Sequence, residues 1–150
     1  MKFIVSSTGL YSHLQAISRV INSKNSLPIL DCFLMELVDG TLSITASDSE
    51  TTLTTSLEVH ESSSNGRFAV SSKTILDALK EIPEQPLTFE VNETMELLVR
   101  YQNGKYSFMA QNADEYPQPT ELGSNAVYVN IESQVLLNGI TRALFATADD

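Results

Sequence analysis

The chain has 150 residues, 42% of them hydrophobic, and a net charge of −10 at neutral pH, which suits one domain with a core of its own. No segment reaches the roughly 20 consecutive apolar residues of a membrane span, and the opening residues lack a secretory signal. A single cysteine excludes an internal disulfide, so we expect a cytoplasmic protein that is not bound to a membrane.

The first predicted unit covers residues 1 to about 60. Its helix has apolar residues Leu10, Leu14 and Ile17 on one stripe, and the following Leu27-Pro28 ends the helical region because proline lacks a donor. Asp39-Gly40 is a hairpin signal between two later strands. The predicted order is a strand (residues 1–6), a helix (8–26) and three strands (29–38, 41–47 and 51–59).

The pattern then returns between residues 66 and about 112. Phe3, Leu10 and Leu14 recur, at one constant spacing, as Phe68, Ile75 and Leu79. Such self-similarity indicates a duplicated supersecondary unit. The second copy is predicted to contain a strand (residues 67–70), a helix (72–82) and three strands (87–91, 95–101 and 105–110). We therefore predict an α+β domain made of two β-α-β-β-β units, with both helices on one face of antiparallel sheets.

A third copy begins after a linker rich in proline, glycine and polar residues at 114–125. It has a predicted strand at residues 129–132 and a predicted helix at 133–148, and the sequence stops at Asp150. We therefore expect the chain to be a fragment of a longer protein, and the helix to present an apolar face without its covering strands.

Charge is distributed unevenly over these elements. A surplus of acid argues by itself against a nucleic-acid partner, since phosphates are neutralised by Lys and Arg. The three predicted helices nevertheless contain only two acidic residues, Asp77 and Glu81. Their five basic residues are Arg19, Lys24, Lys73, Lys80 and Arg142. Because the helices share one side of the predicted domain, the basic residues should collect there, with the acidic residues on strands and loops.

No catalytic or metal-binding motif is evident, and no cofactor is expected. A competing hypothesis is an enzyme that uses His13 with Asp48 or Cys32, but a structural histidine, an exposed turn and a buried thiol explain these residues better. Residues 105–110 form an apolar, aromatic strand. It is either a core strand or an edge strand that recruits the sheet of another chain, and the sequence leaves both open.

Five short motifs, in order along the chain, resemble the amino-terminal part of the bacterial DNA polymerase III β subunit family, the sliding clamps. They are Met1-Lys2-Phe3, Leu27-Pro28-Ile29-Leu30, the segment 39–50 with Asp48 and Glu50, Leu98-Val99-Arg100, and Asp114-Glu115-Tyr116-Pro117. The resemblance implies a DNA-clamp fold, with residues 1–122 as the first clamp domain and residues 126–150 as the incomplete start of the second.

The resemblance also implies a function without catalysis. In that family, two subunits close head to tail into a ring around duplex DNA and act as a processivity factor for the replicative polymerase. Lys24, Lys73 and Lys80 match basic positions that face DNA, and Arg19 is added from its place on the first helix. Lys105, Tyr106 and Phe108 lie on the strand that resembles the family's edge strand at the subunit interface. Polymerase and clamp loader would bind domains that this chain lacks.

The alternative to a clamp is a non-catalytic protein-interaction module with the same repeat and no affinity for DNA. The enzyme is a more remote alternative. Amide protection of the first two helices by duplex DNA, dependent on salt, would separate the clamp from the interaction module.

Overall fold

The computed structural model describes residues 1–21, 27–118, 123 and 126–147. The chain forms two compact units, Met1–Pro119 and Thr120–Asp150. The predicted α+β architecture, with a doubled β-α-β-β-β unit, is confirmed by the first of these units.

Within the described residues, the first unit has nine strands and two α-helices. In chain order they are β1 (Lys2–Ser6), α1 (Ser7–Ile17), β2 (Cys32–Val38), β3 (Thr41–Ser47), β4 (Thr52–Glu58), β5 (Glu61–Ser62), β6 (Gly66–Ser71), α2 (Ser72–Lys80), β7 (Pro86–Val91), β8 (Glu96–Tyr101) and β9 (Gly104–Met109). Short 3-10 helices at Ser18–Val20, Pro28–Asp31 and Ala113–Glu115 lie in the connections.

The two repeats exchange their opening strands. One antiparallel sheet has the order β5-β1-β7-β8-β9 and the other the order β4-β3-β2-β6. Strand β1 of the first repeat therefore pairs with β7 of the second, and β6 of the second pairs with β2 of the first. Because each sheet needs a strand from both repeats, neither repeat completes its sheet alone.

Both helices lie on the same side of the domain, as predicted. Helix α1 packs against β1, β3 and β4, helix α2 packs against β2 and β6, and the two helices contact each other. Leu10 and Leu14 of α1 and Ile75 and Leu79 of α2 are buried in the main core. The apolar residues of the strands alternate with polar ones, so one face of each sheet lies against this core.

Equivalent serines begin the two helices. The Ser6 hydroxyl accepts a hydrogen bond from the Gly9 amide at 3.2 Å, and the Ser71 hydroxyl accepts one from the Thr74 amide at 3.4 Å. Each bond satisfies an amide that has no partner in the first turn of a helix. The repeat seen in the sequence thus extends to the capping residues.

The helix predicted at residues 8–26 is shorter in the structure, because α1 ends at Ile17 and a 3-10 turn, Ser18–Val20, follows. Ile21 then has an extended backbone, with φ −73° and ψ 112°. Residues 22–26 of the predicted helix lie outside the described residues.

Ser7 ties the start of α1 to the segment before β7. It is buried, its hydroxyl donates to the Pro83 carbonyl at 2.9 Å, and it accepts from the Gln85 amide at 3.0 Å. The backbone amide of Ser7 also donates to the Gln85 carbonyl at 3.0 Å. These bonds join the end of β1 to the other repeat at the point where the strands are exchanged.

Replacing Ser7 with alanine is expected to lower the free energy of unfolding by about 1–3 kcal/mol, because a carbonyl and an amide would each lose a buried partner. Urea titration followed by circular dichroism measures this loss. Ser12→Ala is the matched control, since Ser12 is exposed and its hydroxyl donates only to Gly9 within the same helix. An equal effect of the two substitutions would show that the hydrogen bonds of the Ser7 hydroxyl to Pro83 and Gln85 do not stabilise the contact between the repeats.

The described part of the second unit contains one α-helix, α3 (Ser133–Ala143), followed by a 3-10 turn at Leu144–Ala146. Residues 129–132, predicted as a strand, pair with no neighbour among the described residues, and a ladder requires hydrogen bonds to a neighbouring strand. The apolar side chains predicted to lack a cover are exposed. They are Val135, Leu136, Ile140 and Leu144.

Candidate nucleic-acid interface and free sheet edges

The exposed side of α1 is polar and carries no acidic residue. Ser12, Gln15, Ala16 and Arg19 line a shallow depression of about 400 Å³ on this side. Arg19 is exposed and belongs to the 3-10 turn that continues α1, rather than to the α-helix itself. This surface offers hydrogen-bond donors and one positive charge.

Helix α2 adds two exposed lysines beside α1. Lys73 lies in its first turn and Lys80 in its last, and both are exposed. The exposed Asp77 lies between them, so the net charge of α2 is smaller than the two lysines suggest. The structure therefore places Lys73 and Lys80 on α2 and Arg19 on the 3-10 turn that continues α1, and the two α-helices contact each other. Lys24 lies outside the described residues.

The sequence pattern assigned the surplus of acidic residues to strands and loops alike. In the structure, the strands and the loops differ in net charge. The nine strands hold nearly balanced charge, with five acidic and four basic residues: Glu36, Glu58, Glu61, Glu90 and Glu96 against Lys2, Arg67, Arg100 and Lys105. Most of the remaining acid lies in the connections. Arg67 forms ion pairs with Asp114 and, at 4.0 Å, with Glu36.

Strand β9 is an edge strand, which answers one question that the sequence left open. It pairs with β8 and, within the described residues, with no other strand. Tyr106 and Phe108 stand opposite the buried Val99 and Leu97 and pack against the core. Lys105 is exposed and, because side chains alternate, points to the other face of the sheet. The three predicted interface residues thus share an edge but lie on two faces.

An aromatic row supports this edge from the helix side. Tyr106 stacks on Tyr101 with 5.5 Å between ring centroids and on Phe108 with 5.9 Å. The neighbouring Tyr101 raises the pKa of Tyr106, with a smaller contribution from burial. All three rings pack against the main core, and part of each ring remains exposed.

The residues considered for catalysis are engaged in structural contacts. His13 hydrogen-bonds through Nδ1 to the Thr55 hydroxyl at 2.6 Å, joining α1 to β4. The Asp48 carboxylate accepts from the amides of Thr51 and Glu50 within its own turn, and these bonds lower its pKa. Burial raises the pKa of Cys32 to about 11, so this residue is a neutral thiol near pH 7.

Two of the motifs that carried the family resemblance meet in a small second core. The 3-10 helix Pro28–Asp31 contributes Ile29 and Leu30, and the segment after β9 contributes Tyr116. The Tyr116 hydroxyl donates to the Cys32 carbonyl at 3.5 Å. These motifs therefore have a structural role, which their sequence pattern alone did not indicate.

Other kinds of site find no support in the described part of the chain. It holds no group of three or more His, Cys, Asp or Glu residues that could bind a metal ion. Within the same residues, no helix is long and apolar enough to cross a membrane.

The architecture defines a class of protein: a two-fold pseudosymmetric α+β domain with exchanged opening strands and both helices on one side. Residues 1–120 match the family model described as "DNA polymerase III beta subunit, N-terminal domain". The chain belongs to this family.

Known members agree in sequence and in fold. The beta sliding clamp of Haemophilus influenzae is 29% identical over 150 residues, a match that covers 98% of this chain and 39% of that protein. The crystal structure of the Pseudomonas aeruginosa DNA polymerase III subunit beta matches with a TM-score of 0.89, at 24% identity, over 100% of this chain and 40% of that one. The Bacillus subtilis sliding clamp gives 0.88 at 20% identity, over 100% and 41%. The predicted DNA-clamp fold is confirmed, and the chain spans about 40% of the length of the relatives it matches.

Proposed function

We propose that this chain is the amino-terminal part of a DNA sliding clamp subunit, a processivity factor that encircles duplex DNA and tethers the replicative polymerase. The observation that carries the proposal is the family match over residues 1–120. In this proposal the protein is cytoplasmic and has no catalytic role. Residues 1–122 are the first clamp domain, and residues 126–150 begin the second.

The helix side is the surface that would face DNA. Lys73 and Lys80 are exposed on α2, Arg19 is exposed on the turn that continues α1, and α1 has no carboxylate to repel phosphates. Lys24 is included by its match to the family pattern. A few cations of this kind give weak attraction that is independent of sequence and sensitive to salt, as a ring that must slide requires.

The edge strand β9 would join the partner subunit. Among the residues that the structure describes, no strand pairs with its outer side, and Lys105, Tyr106 and Phe108 stand along it. A second subunit, arranged head to tail, would extend the sheet by pairing with this edge. The replicative polymerase and the clamp loader would bind parts of the parent protein outside this chain.

Charge reversal of α2 tests the DNA-facing surface in the parent protein. Lys73→Glu with Lys80→Glu should shorten the products of primer extension by the loaded clamp. The slope of log affinity against log salt should fall by about 1 for each phosphate that the variant no longer neutralises. Lys2→Glu is the matched control, because Lys2 is exposed on β1 and away from the helices.

Unchanged product length and unchanged salt dependence in the double variant would rule out these lysines as DNA contacts. The interaction-module alternative predicts a different result, namely no salt-dependent protection of α1 and α2 by duplex DNA in the unmodified parent protein.

A further inference from the structure

The dipeptide Asn-Gly occurs three times in the chain, and the structure places the three copies in different surroundings. They are Asn65-Gly66, Asn103-Gly104 and Asn138-Gly139. Asparagine before glycine is chemically labile, because the amide nitrogen of a residue without a side chain can approach the asparagine side-chain carbonyl closely. The rate of this reaction depends on how freely the asparagine side chain and the backbone beside it can move.

The side chain of Asn65 is held by two hydrogen bonds. Its Oδ1 accepts from the backbone amide of Asp39 at 3.0 Å, and its Nδ2 donates to the Asp39 carboxylate at 3.2 Å. Gly66 is half-buried beside the Met1 side chain and is paired with Leu37 in the second sheet. Both residues of this dipeptide are therefore fixed, and a reaction between them would require several contacts to break.

Asn138 is held by the helix in which it lies. Its Oδ1 accepts a hydrogen bond from the Gln134 side chain at 3.1 Å, one turn earlier in α3. The helix also fixes the backbone, because amides in its interior donate to carbonyls four residues earlier. A reaction with Gly139 would therefore require the helix to open locally.

Asn103-Gly104 lacks both kinds of restraint. Gln102 and Asn103 form the two-residue turn between β8 and β9, and both are exposed. The turn is anchored through Gln102, whose backbone amide donates to the Gln85 side chain at 2.7 Å. Among the described residues, the Asn103 side chain has no hydrogen-bond partner. Its amide group can therefore turn toward the backbone without breaking a bond.

Packing favours a glycine at position 104. A Cβ atom at Gly104 would lie 2.9 Å from the hydroxyl oxygen of Tyr101 and 3.1 Å from its Cζ. The Tyr101 ring cannot move away easily, because it stacks on Tyr106. The aromatic packing of this edge thus favours the residue that makes Asn103 reactive.

We propose that Asn103 is a site of spontaneous deamidation. Hydroxide removes the proton of the Gly104 amide, and the amide nitrogen forms a bond to Cγ of Asn103. The bond between Cγ and Nδ2 breaks, and Nδ2 leaves as ammonia with a proton taken from water, so that a cyclic succinimide remains. Water then opens the ring. Breaking the bond between the nitrogen and Cγ gives aspartate, and breaking the bond between the nitrogen and the backbone carbonyl carbon gives isoaspartate.

The modification changes the start of the edge strand. Both products add a negative charge two residues before Lys105. In isoaspartate the main chain also runs through the former side chain and becomes longer by one carbon atom. Because loop length fixes the register of a hairpin, the pairing of Tyr101 with Gly104 should be lost. This chemistry belongs to the chain itself and does not rest on DNA binding or on the proposed clamp function.

The first test compares the three dipeptides within one sample. The 150-residue chain is incubated at mildly alkaline pH, and peptide mapping by mass spectrometry measures deamidation at each asparagine. Asn103 should react at least about tenfold faster than Asn65 or Asn138, because two hydrogen bonds hold Asn65 and a helix holds Asn138. In urea, where the chain is unfolded, the three rates should become similar. Equal rates in the folded chain, or the same tenfold difference in urea, would overturn the proposal.

The second test examines the chemistry and its consequence. Asn103→Gln should abolish the reaction at this turn, because glutamine would have to form a larger ring. Asn138→Gln is the matched control, which should leave the rate at Asn103 unchanged. A reaction of equal rate in Asn103→Gln would overturn the proposed route.

Hydrogen exchange measures the effect on the edge strand. The isoaspartate form is separated by ion exchange and identified by enzymatic methylation of isoaspartate. Its amides at the turn end of β8 and β9 should lose about tenfold of their protection relative to the unmodified chain. Unchanged protection would show that the hairpin tolerates the longer backbone, and would overturn the proposed effect on β9.

Discussion

Replacing Phe89 with alanine is expected to lower the free energy of unfolding by about 3–5 kcal/mol, the usual cost of deleting a buried phenyl ring. Phe89 of β7 is fully buried, and its ring stacks on that of Phe3 in β1 with 5.0 Å between centroids. The two strands come from different repeats. The cavity would therefore open where the exchanged strand holds the repeats together. Urea denaturation monitored by far-ultraviolet circular dichroism measures the loss.

Val38→Ala is the control for this substitution. Val38 ends β2 and is 56% exposed, so its truncation should change the free energy of unfolding by less than about 0.5 kcal/mol. Phe3→Ala should match Phe89→Ala, and the double variant should cost less than the sum because the two rings share one contact. A loss below about 1 kcal/mol for Phe89→Ala would show that the stacked pair contributes little to the contact between β1 and β7.

The sequence predicted the strands of each repeat but not their neighbours. Alternation of apolar and polar residues shows that a segment is a half-buried strand, and it is the same whichever strand lies beside it. The pairing of β1 with β7 depends on contacts across the whole unit. No sequence motif marks the buried Ser7, which bridges to Pro83 and Gln85 of the other repeat.

The sequence predicted more about the lysines of the helix surface than about the edge strand. The sequence placed Lys73 and Lys80 on the second helix and the resemblance gave them a role; the structure leaves both exposed, because Ile75 and Leu79 form the buried face of α2. For the edge strand, the sequence grouped Lys105 with Tyr106 and Phe108, although strand alternation separates their faces.

Alkaline pH is expected to destabilise the protein through the small core around Cys32. Burial raises the pKa of Cys32 from 9.0 to about 11, with a smaller contribution from Asp31, and burial likewise raises the pKa of Tyr116 to about 12. The folded state thus keeps protons that the unfolded chain releases. Stability from Cys32 is complete below pH 9 and is lost as pH rises to about 11, and that from Tyr116 is lost between pH 10 and 12.

The loss attributable to Cys32 should be roughly 2 kcal/mol by pH 11, because each unit of pKa difference is worth about 1.4 kcal/mol. Urea titrations at intervals between about pH 8 and 11 measure it. Cys32→Ala should flatten the pH dependence between about pH 9 and 10, although the variant itself is less stable, while Tyr116→Phe should leave that range unchanged. If Cys32→Ala keeps the full slope, the thiol is not the group that the fold holds protonated. The loss would then have to come from ionisations outside this core.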